Sequence, residues 1–274
     1  MIVTVSCVQM APRLADFEAN IQKIKKYFKA VMEKYPATDL IVFPELITSG
    51  YECTNEEFET LAETIPGGQS LAEISALCRY YGVNAVYGLP ERAAAALYNS
   101  AVFIGSRGQL LHTYRKAHPF DTERNWCKAG GDLAVFDTDF GKAAVMICYD
   151  AAFPELARVY ALQGAELLII VTNWEKPYSE DWDLVTRARA YDNILHVVSA
   201  NRIGVDKTMG FFGHSKIVDP LGRVITSLDE EVEGIISASI DLSLTKKLRE
   251  DYYTFLEDRR PELYTELVKP KTFA

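Results

Sequence analysis

The sequence predicts an α/β protein in which mixed β-sheets face each other and are covered by helices. Three observations predict it. Short apolar runs of strand length alternate with amphipathic runs of helix length almost throughout the 274 residues. Hairpin-type turn signals interrupt that alternation, so the sheets must hold antiparallel as well as parallel pairs. No linker, low-complexity tract or fixed-period repeat divides the chain, which is long enough for one large core, so a single domain over 1–274 is expected.

The elements follow in order. Met1 to Met10 reads as a first core strand. Phe17, Ile21, Ile24, Phe28, Val31 and Tyr35 are spaced three or four apart, one apolar face of a helix. Asp39 to Phe43 is a short buried strand running into Pro44-Glu45. Asn55 to Leu61 and Leu71 to Tyr81 are helices, the second stopped by Gly82. Val83 to Gly88 is a strand, and Leu97–Ile104 and Gln109–Arg115 form a hairpin about Gly105-Ser106-Arg107-Gly108. Leu133–Asp137 and Lys142–Cys148 flank a second turn, Thr138 to Gly141. Pro154 to Leu162 is a helix closed by Gly164. Leu167 to Val171 is a fully buried strand, Trp182 to Leu195 a helix, and His196 to Ala200 a strand. A hairpin turns at Asp219-Pro220-Leu221-Gly222, Gly234 to Ile240 is the last strand, and Asp241 caps a final helix. The charged tail, about 258–274, offers few core candidates and is expected to wrap the body or a partner subunit.

Composition narrows the function. Apolar residues at 49% and charged residues at 24% are ordinary for a soluble protein. A formal charge of −9 argues against a general nucleic-acid binder and against an anionic membrane surface as partner. No apolar run reaches membrane-spanning length, and the N-terminus lacks a signal-peptide pattern. Five scattered cysteines, with no CxxC and no zinc-ligand spacing, read as free thiols in a reducing cytoplasm.

Four positions can carry chemistry. Cys148 ends the apolar run Ala143 to Ile147, where a strand bends into a helix. A free Cys in such a strand is ordinarily a small core residue, but a helix N-terminus can lower a thiol pKa and make it nucleophilic. Glu45 lies at the C-terminal end of a buried strand, where desolvation would raise its pKa as a general base needs. Lys116 ends the strand Leu110 to Arg115 and could stabilise an oxyanion, and Glu123 lies in the loop that follows. The histidines, 112, 118, 196 and 214, are scattered, and nothing around Cys148 matches a caspase-type or papain-type context.

Phe43-Pro44-Glu45, then Tyr114-Arg115-Lys116-Ala117-His118, then Cys148-Tyr149-Asp150 with Phe153-Pro154-Glu155 occur in this order. Asn173-Trp174, Arg187-Ala188-Arg189-Ala190, Ala200 to Gly204, Gly213-His214-Ser215 and Asp219 to Gly222 follow. The set resembles the nitrilase, or carbon-nitrogen hydrolase, superfamily over nearly the whole chain. The resemblance implies a four-layer αββα sandwich and a Glu-Lys-Cys triad on Glu45, Lys116 and Cys148. Glu45 would take the thiol proton, Cys148 would form a thioester, and Lys116 with the Tyr149 N–H would hold the oxyanion. The second family glutamate falls on Glu123, although Ala129-Gly130 stands where many relatives carry Pro-Gly. Tyr51, Tyr149, Phe153, Asn173 and Trp174 would bind substrate by analogy, with Arg124 and Arg202 as candidates for a substrate carboxylate. The resemblance implies no metal or organic cofactor and a homodimer. It favours hydrolysis of a small linear amide. The alternatives are an N-carbamoyl-amine hydrolase, an omega-amidase or a nitrilase, and, from other classes, an acyl transferase or a silent binding protein.

Overall fold

The computed structural model describes residues 1–269. Its strands are β1 (Ile2–Gln9), β2 (Leu40–Val42), β3 (Asn84–Ala93), β4 (Ala96–Ile104), β5 (Leu110–Arg115), β6 (Phe136–Asp137), β7 (Lys142–Ile147), β8 (Leu167–Thr172), β9 (His196–Asn201), β10 (Ile203–Val205), β11 (Gly210–Phe212), β12 (Ser215–Val218), β13 (Val224–Leu228) and β14 (Gly234–Asp241). Its helices are α1 (Phe17–Lys34), α2 (Asn55–Leu61), α3 (Gln69–Tyr81), α4 (Pro154–Leu162), α5 (Ser179–Asn193) and α6 (Ser243–Asp251).

Two six-stranded sheets result, ordered β14-β1-β2-β3-β4-β5 and β13-β12-β9-β8-β7-β6. Each has a parallel centre, β1-β2-β3 in one and β7-β8-β9 in the other, flanked by antiparallel strands. Strand periodicity builds the layers. Along the first sheet, Val3, Val5, Cys7, Leu40, Val42, Val86, Ala101 and Phe103 point at the second sheet. The alternate residues Val8, Ile41, Phe43, Ala85, Tyr87, Val102 and Ile104 point at α1 and α3. Those helices answer with Ile21, Ile24, Phe28, Val31, Leu71, Ile74 and Cys78, the stripe the 3.6-residue period foretold. On the far face, Leu156, Ala157 and Tyr160 of α4 and Trp182 and Ala190 of α5 cover β7, β8 and β9. The layers therefore run helix, sheet, sheet, helix.

Several boundaries differ from expectation. Leu133–Asp137 contracts to Phe136–Asp137, because the preceding backbone is drawn elsewhere. Gly130 N–H donates to Lys116 O (2.8 Å) and Val135 N–H to the Gln163 side chain (3.1 Å). α5 begins at Ser179 and ends at Asn193, where Ile194 turns left-handed at φ 47°. Leu242 occupies the N-cap of α6, yet the Asp241 carboxylate still accepts from Ser243 N–H (3.1 Å) and Oγ (2.7 Å). The β10-β11 hairpin was not anticipated. The tail runs in short 3₁₀ turns beyond α6, and Tyr264 and Leu267 line a groove with Pro154, Glu155, Arg158 and Asp192. The part of the expected tail at 270–274 lies outside the described residues.

Candidate active site

Glu45, Lys116, Cys148 and Asn173 each follow the C-terminal end of a strand: β2, β5, β7 and β8. Ligand sites in layered α/β proteins gather at such ends, because backbone N–H groups and loops converge there. Glu45 is held where parallel pairing runs past β2. Phe43 N–H donates to Val86 O (2.8 Å), Gly88 N–H to Pro44 O (3.0 Å) and Ile47 N–H to Gly88 O (2.9 Å). The approach is so close that a Cβ on Gly88 would lie 2.6 Å from both Glu45 Cα and Leu46 N.

The side chains meet in a dry cluster. Lys116 Nζ lies 2.8 Å from Glu45 Oε1 and 2.7 Å from Glu123 Oε1, with both its own side chain and Glu45 fully buried. Asn99 on β4 donates through Nδ2 to Glu45 Oε1 (2.7 Å), with Glu123 Oε1 at 3.4 Å. The remaining Glu45 oxygen accepts the Asn173 backbone N–H (2.8 Å), and Glu123 Oε2 accepts that of Phe120 (3.0 Å). Glu123 thus leaves the solvated loop that its sequence context suggested: a 3₁₀ turn, Asp121–Asn125, carries it inward to 1% exposure. Gly130 lets the chain pass close to the end of β5, since a Cβ there would lie 2.2 Å from Arg115 O.

Cys148 begins a 3₁₀ segment, Cys148–Ala152, in the left-handed region at φ 46°. A non-glycine residue there is strained and needs the surroundings to hold it. Asp150 does so. Buried completely, it accepts from Ile147 N–H (3.1 Å), Tyr114 O–H (2.8 Å) and His118 N–H (3.0 Å), with His118 Nδ1 at 2.8 Å. The bend that carries the thiol is thereby tied to the segment that carries Lys116.

The electrostatics correct one expectation. The Cys148 thiol is pushed well above its ordinary value, by burial first and then by Glu45, against Lys116 and the Thr172 hydroxyl. The helix-terminus effect that would have lowered it is overridden, because desolvation of a thiolate outweighs a short segment's dipole. Glu45 is also raised, by burial first, with Lys116 pulling the other way and Glu123 adding to the rise. Burial disfavours the Lys116 ammonium, but Glu123 and Glu45 overcome it and hold the amine well above its ordinary value. One cation thus sits between two carboxylates beside a neutral thiol, and their titrations belong to the cluster.

A cavity of about 270 Å³ opens over Cys148, lined also by Phe120, Tyr149, Trp174, Glu175, Tyr178 and Asp181. Of the expected substrate-binding residues, Tyr149 and Trp174 line it. Tyr51, Phe153 and Asn173 do not. Tyr51 lines an adjacent cavity of about 430 Å³, and burial followed by Glu123 raises its hydroxyl. Phe153 stacks on His118, with centroids 3.7 Å apart. Asn173 is buried and supports Glu45 through its backbone. Neither arginine lines this cavity: Arg202 is buried against Asp206 (2.8 Å on each nitrogen) and Phe211, and Arg124 is exposed and donates to Pro119 O (3.2 Å). Asn99, Tyr114 and Asp150 were missed as a brace. A polar Asn inside the apolar strand Leu97–Ile104 was the available signal for the first. Among the described residues no group of three His, Cys, Asp or Glu side chains is placed to hold a metal ion.

Comparison with known proteins agrees with this geometry. A family model described as carbon-nitrogen hydrolase matches residues 4–250. A probable nitrilase of Schizosaccharomyces pombe is 53% identical over 98% of this chain and 100% of its own. A 2-oxoglutaramate amidase of Bacillus subtilis is 33% identical over 95% and 99%. The crystal structure of a carbon-nitrogen hydrolase from Helicobacter pylori superposes with a TM-score of 0.89 at 28% identity, covering 99% of this chain and 100% of that one.

Proposed function

The chain belongs to the carbon-nitrogen hydrolase family, and from that premise we propose that it hydrolyses small linear amides through a Cys148 thioester. The observation that carries the reading is the buried Lys116 ammonium shared by Glu45 and Glu123, near enough to Cys148 for these charges to act on its thiol. A merely structural core gains nothing from two carboxylates, an ammonium and a thiol in one dry space, since such burial costs several kcal/mol per ion.

The neutral thiol calls for proton removal as it attacks. Glu45, with its raised affinity for protons, accepts that proton while Sγ bonds to the amide carbon. The oxyanion is held by the Lys116 ammonium and the Tyr149 N–H in the first turn of the 3₁₀ segment, where N–H groups lack an intrahelical partner. Glu45 returns the proton to the departing nitrogen, and ammonia leaves. Glu45 then deprotonates water, which attacks the thioester, and the acid and free thiol are released. The balance is amide plus water to carboxylic acid plus ammonia. Glu123 keeps Lys116 charged and aimed.

The relatives' names include both nitrilase and amidase, so the test includes both bonds. A panel of amides, carbamoyl compounds and nitriles is scored for ammonia, with Cys148→Ala as blank. The expected result is ammonia from primary amides, an acyl adduct on Cys148 by mass, and turnover about 10²- to 10⁴-fold lower in Glu45→Gln. Wild-type turnover by the Cys148→Ala protein would overturn the assignment. We propose a homodimer through the outer faces of α4 and α5, where Leu162, Leu184 and Tyr191 are exposed.

A further inference from the structure

We propose that the Cys148 cavity selects amides bearing a cationic group, an ammonium a few bonds from the scissile carbonyl, held by Glu175 and Asp181. This rests on the amide-hydrolysing reading of the same site. Seven residues line the cavity; two are carboxylates, four are aromatic and none is Lys or Arg. Carboxylates attract an ammonium directly, and the faces of Phe120, Tyr149, Trp174 and Tyr178 suit one through their quadrupoles.

The nearby cations are engaged elsewhere. Lys116 is bound by Glu45 and Glu123, and Lys176, next to Glu175 in sequence, pairs with Glu231 (2.7 Å). Among the described residues neither Glu175 nor Asp181 has an ion-pair partner. Asp181 lies in the first turn of α5, where an acid also complements the helix dipole. Glu175 has no such role: it precedes the helix, half-buried. Its backbone is pinned by a bridge to Phe211 and by Lys176 N–H to Gly210 O (2.8 Å). Burial raises its carboxyl, against a smaller pull from Lys116. A substrate with a free carboxylate, such as 2-oxoglutaramate, would face two like charges and no arginine in this cavity.

Three chain-matched probes test the charge: δ-aminovaleramide (cationic), valeramide (neutral) and glutaramate (anionic). kcat/KM should favour the cation over the neutral amide by about tenfold or more, the worth of about one good ion pair. Glutaramate should be poorest. Glu175→Gln should bring the cationic-to-neutral ratio toward one, and Asp181→Asn should reduce it less. A wild-type ratio near one, a preference for glutaramate, or a ratio unmoved by Glu175→Gln would overturn the proposal. Calorimetry on the Cys148→Ala protein reads the same preference without chemistry, and Glu175→Gln in that background should abolish it. Charge-selective binding without ammonia release would sink the amidase reading alone. Ammonia release without charge preference would sink this one alone.

Discussion

Cys148 shows how burial decides a residue's chemistry. A thiolate at this bend is disfavoured, and the other thiols are raised too, Cys7, Cys53, Cys78 and Cys127 each to about 12. Selective reactivity at Cys148 must then come from access to the cavity and from the base beside it, not from a standing thiolate. Iodoacetamide should therefore label Cys148 ahead of Cys7 and Cys78, which are fully buried. Glu45→Gln should slow that labelling at least about tenfold, on the scale of general-base assistance. Peptide mass mapping reads both, and equal labelling of all five thiols would remove the activated nucleophile. The Glu-Lys-Cys pattern was legible because each residue stands beside a strand end in a recognisable motif. Glu175 and Asp181 were not legible, since nothing in Trp174-Glu175-Lys176 or Glu180-Asp181 distinguishes a cavity wall from a solvated loop.

Among the elements, β2 and β3 set the position of Glu45 by backbone contact more than by side-chain packing. Gly88→Ala would force a Cβ to 2.6 Å from Glu45 Cα, against the Glu45–Leu46 backbone and with no flexible side chain to yield. We expect a loss of about 1–3 kcal/mol in urea denaturation, typical of overpacking. A drop in kcat larger than that in Gly105→Ala, where only the end of the Gln109 side chain must move, should accompany it. The sequence showed β3 as a strand but not why its Gly had to be there, because the partner lies 43 positions away, from Glu45 to Gly88. The β10-β11 hairpin escaped for a related reason. Its strands, Ile203–Val205 and Gly210–Phe212, are too short to show a period, and they are held by Arg202–Asp206 and by pairing with each other.

Across the whole molecule, the buried cluster links activity to stability. Glu45 has a folded pKa above its ordinary 4.5, so the folded state keeps a proton that the unfolded chain releases. Unfolding free energy must therefore fall as pH rises from about 4.5 through the folded value and level off above it. The fall amounts to about 1.4 kcal/mol for every pH unit that separates the folded from the unfolded value. A urea midpoint series against pH should show this decline in wild type and a flatter line in Glu45→Gln. A wild-type stability that rises over the same interval would contradict a raised Glu45. The two sheets also divide the chain unevenly. The second is built from one continuous stretch, β6 to β13, whereas the first is completed only when β14 returns to pair with β1, Ile2 opposite Asp241.

The sequence by itself determined the alternation of strands and helices, the apolar stripes that cover the sheets, and the order of the Glu45, Lys116 and Cys148 motifs. Period and motif are local properties, written in adjacent residues. Only the tertiary structure decided the inward turn of Glu123, the brace of Tyr114, Asp150 and His118, the raised thiol, and the acidic, aromatic wall over it. Each of these depends on which distant surfaces share a dry space. Desolvation acts on that space and leaves no trace in the linear order of residues.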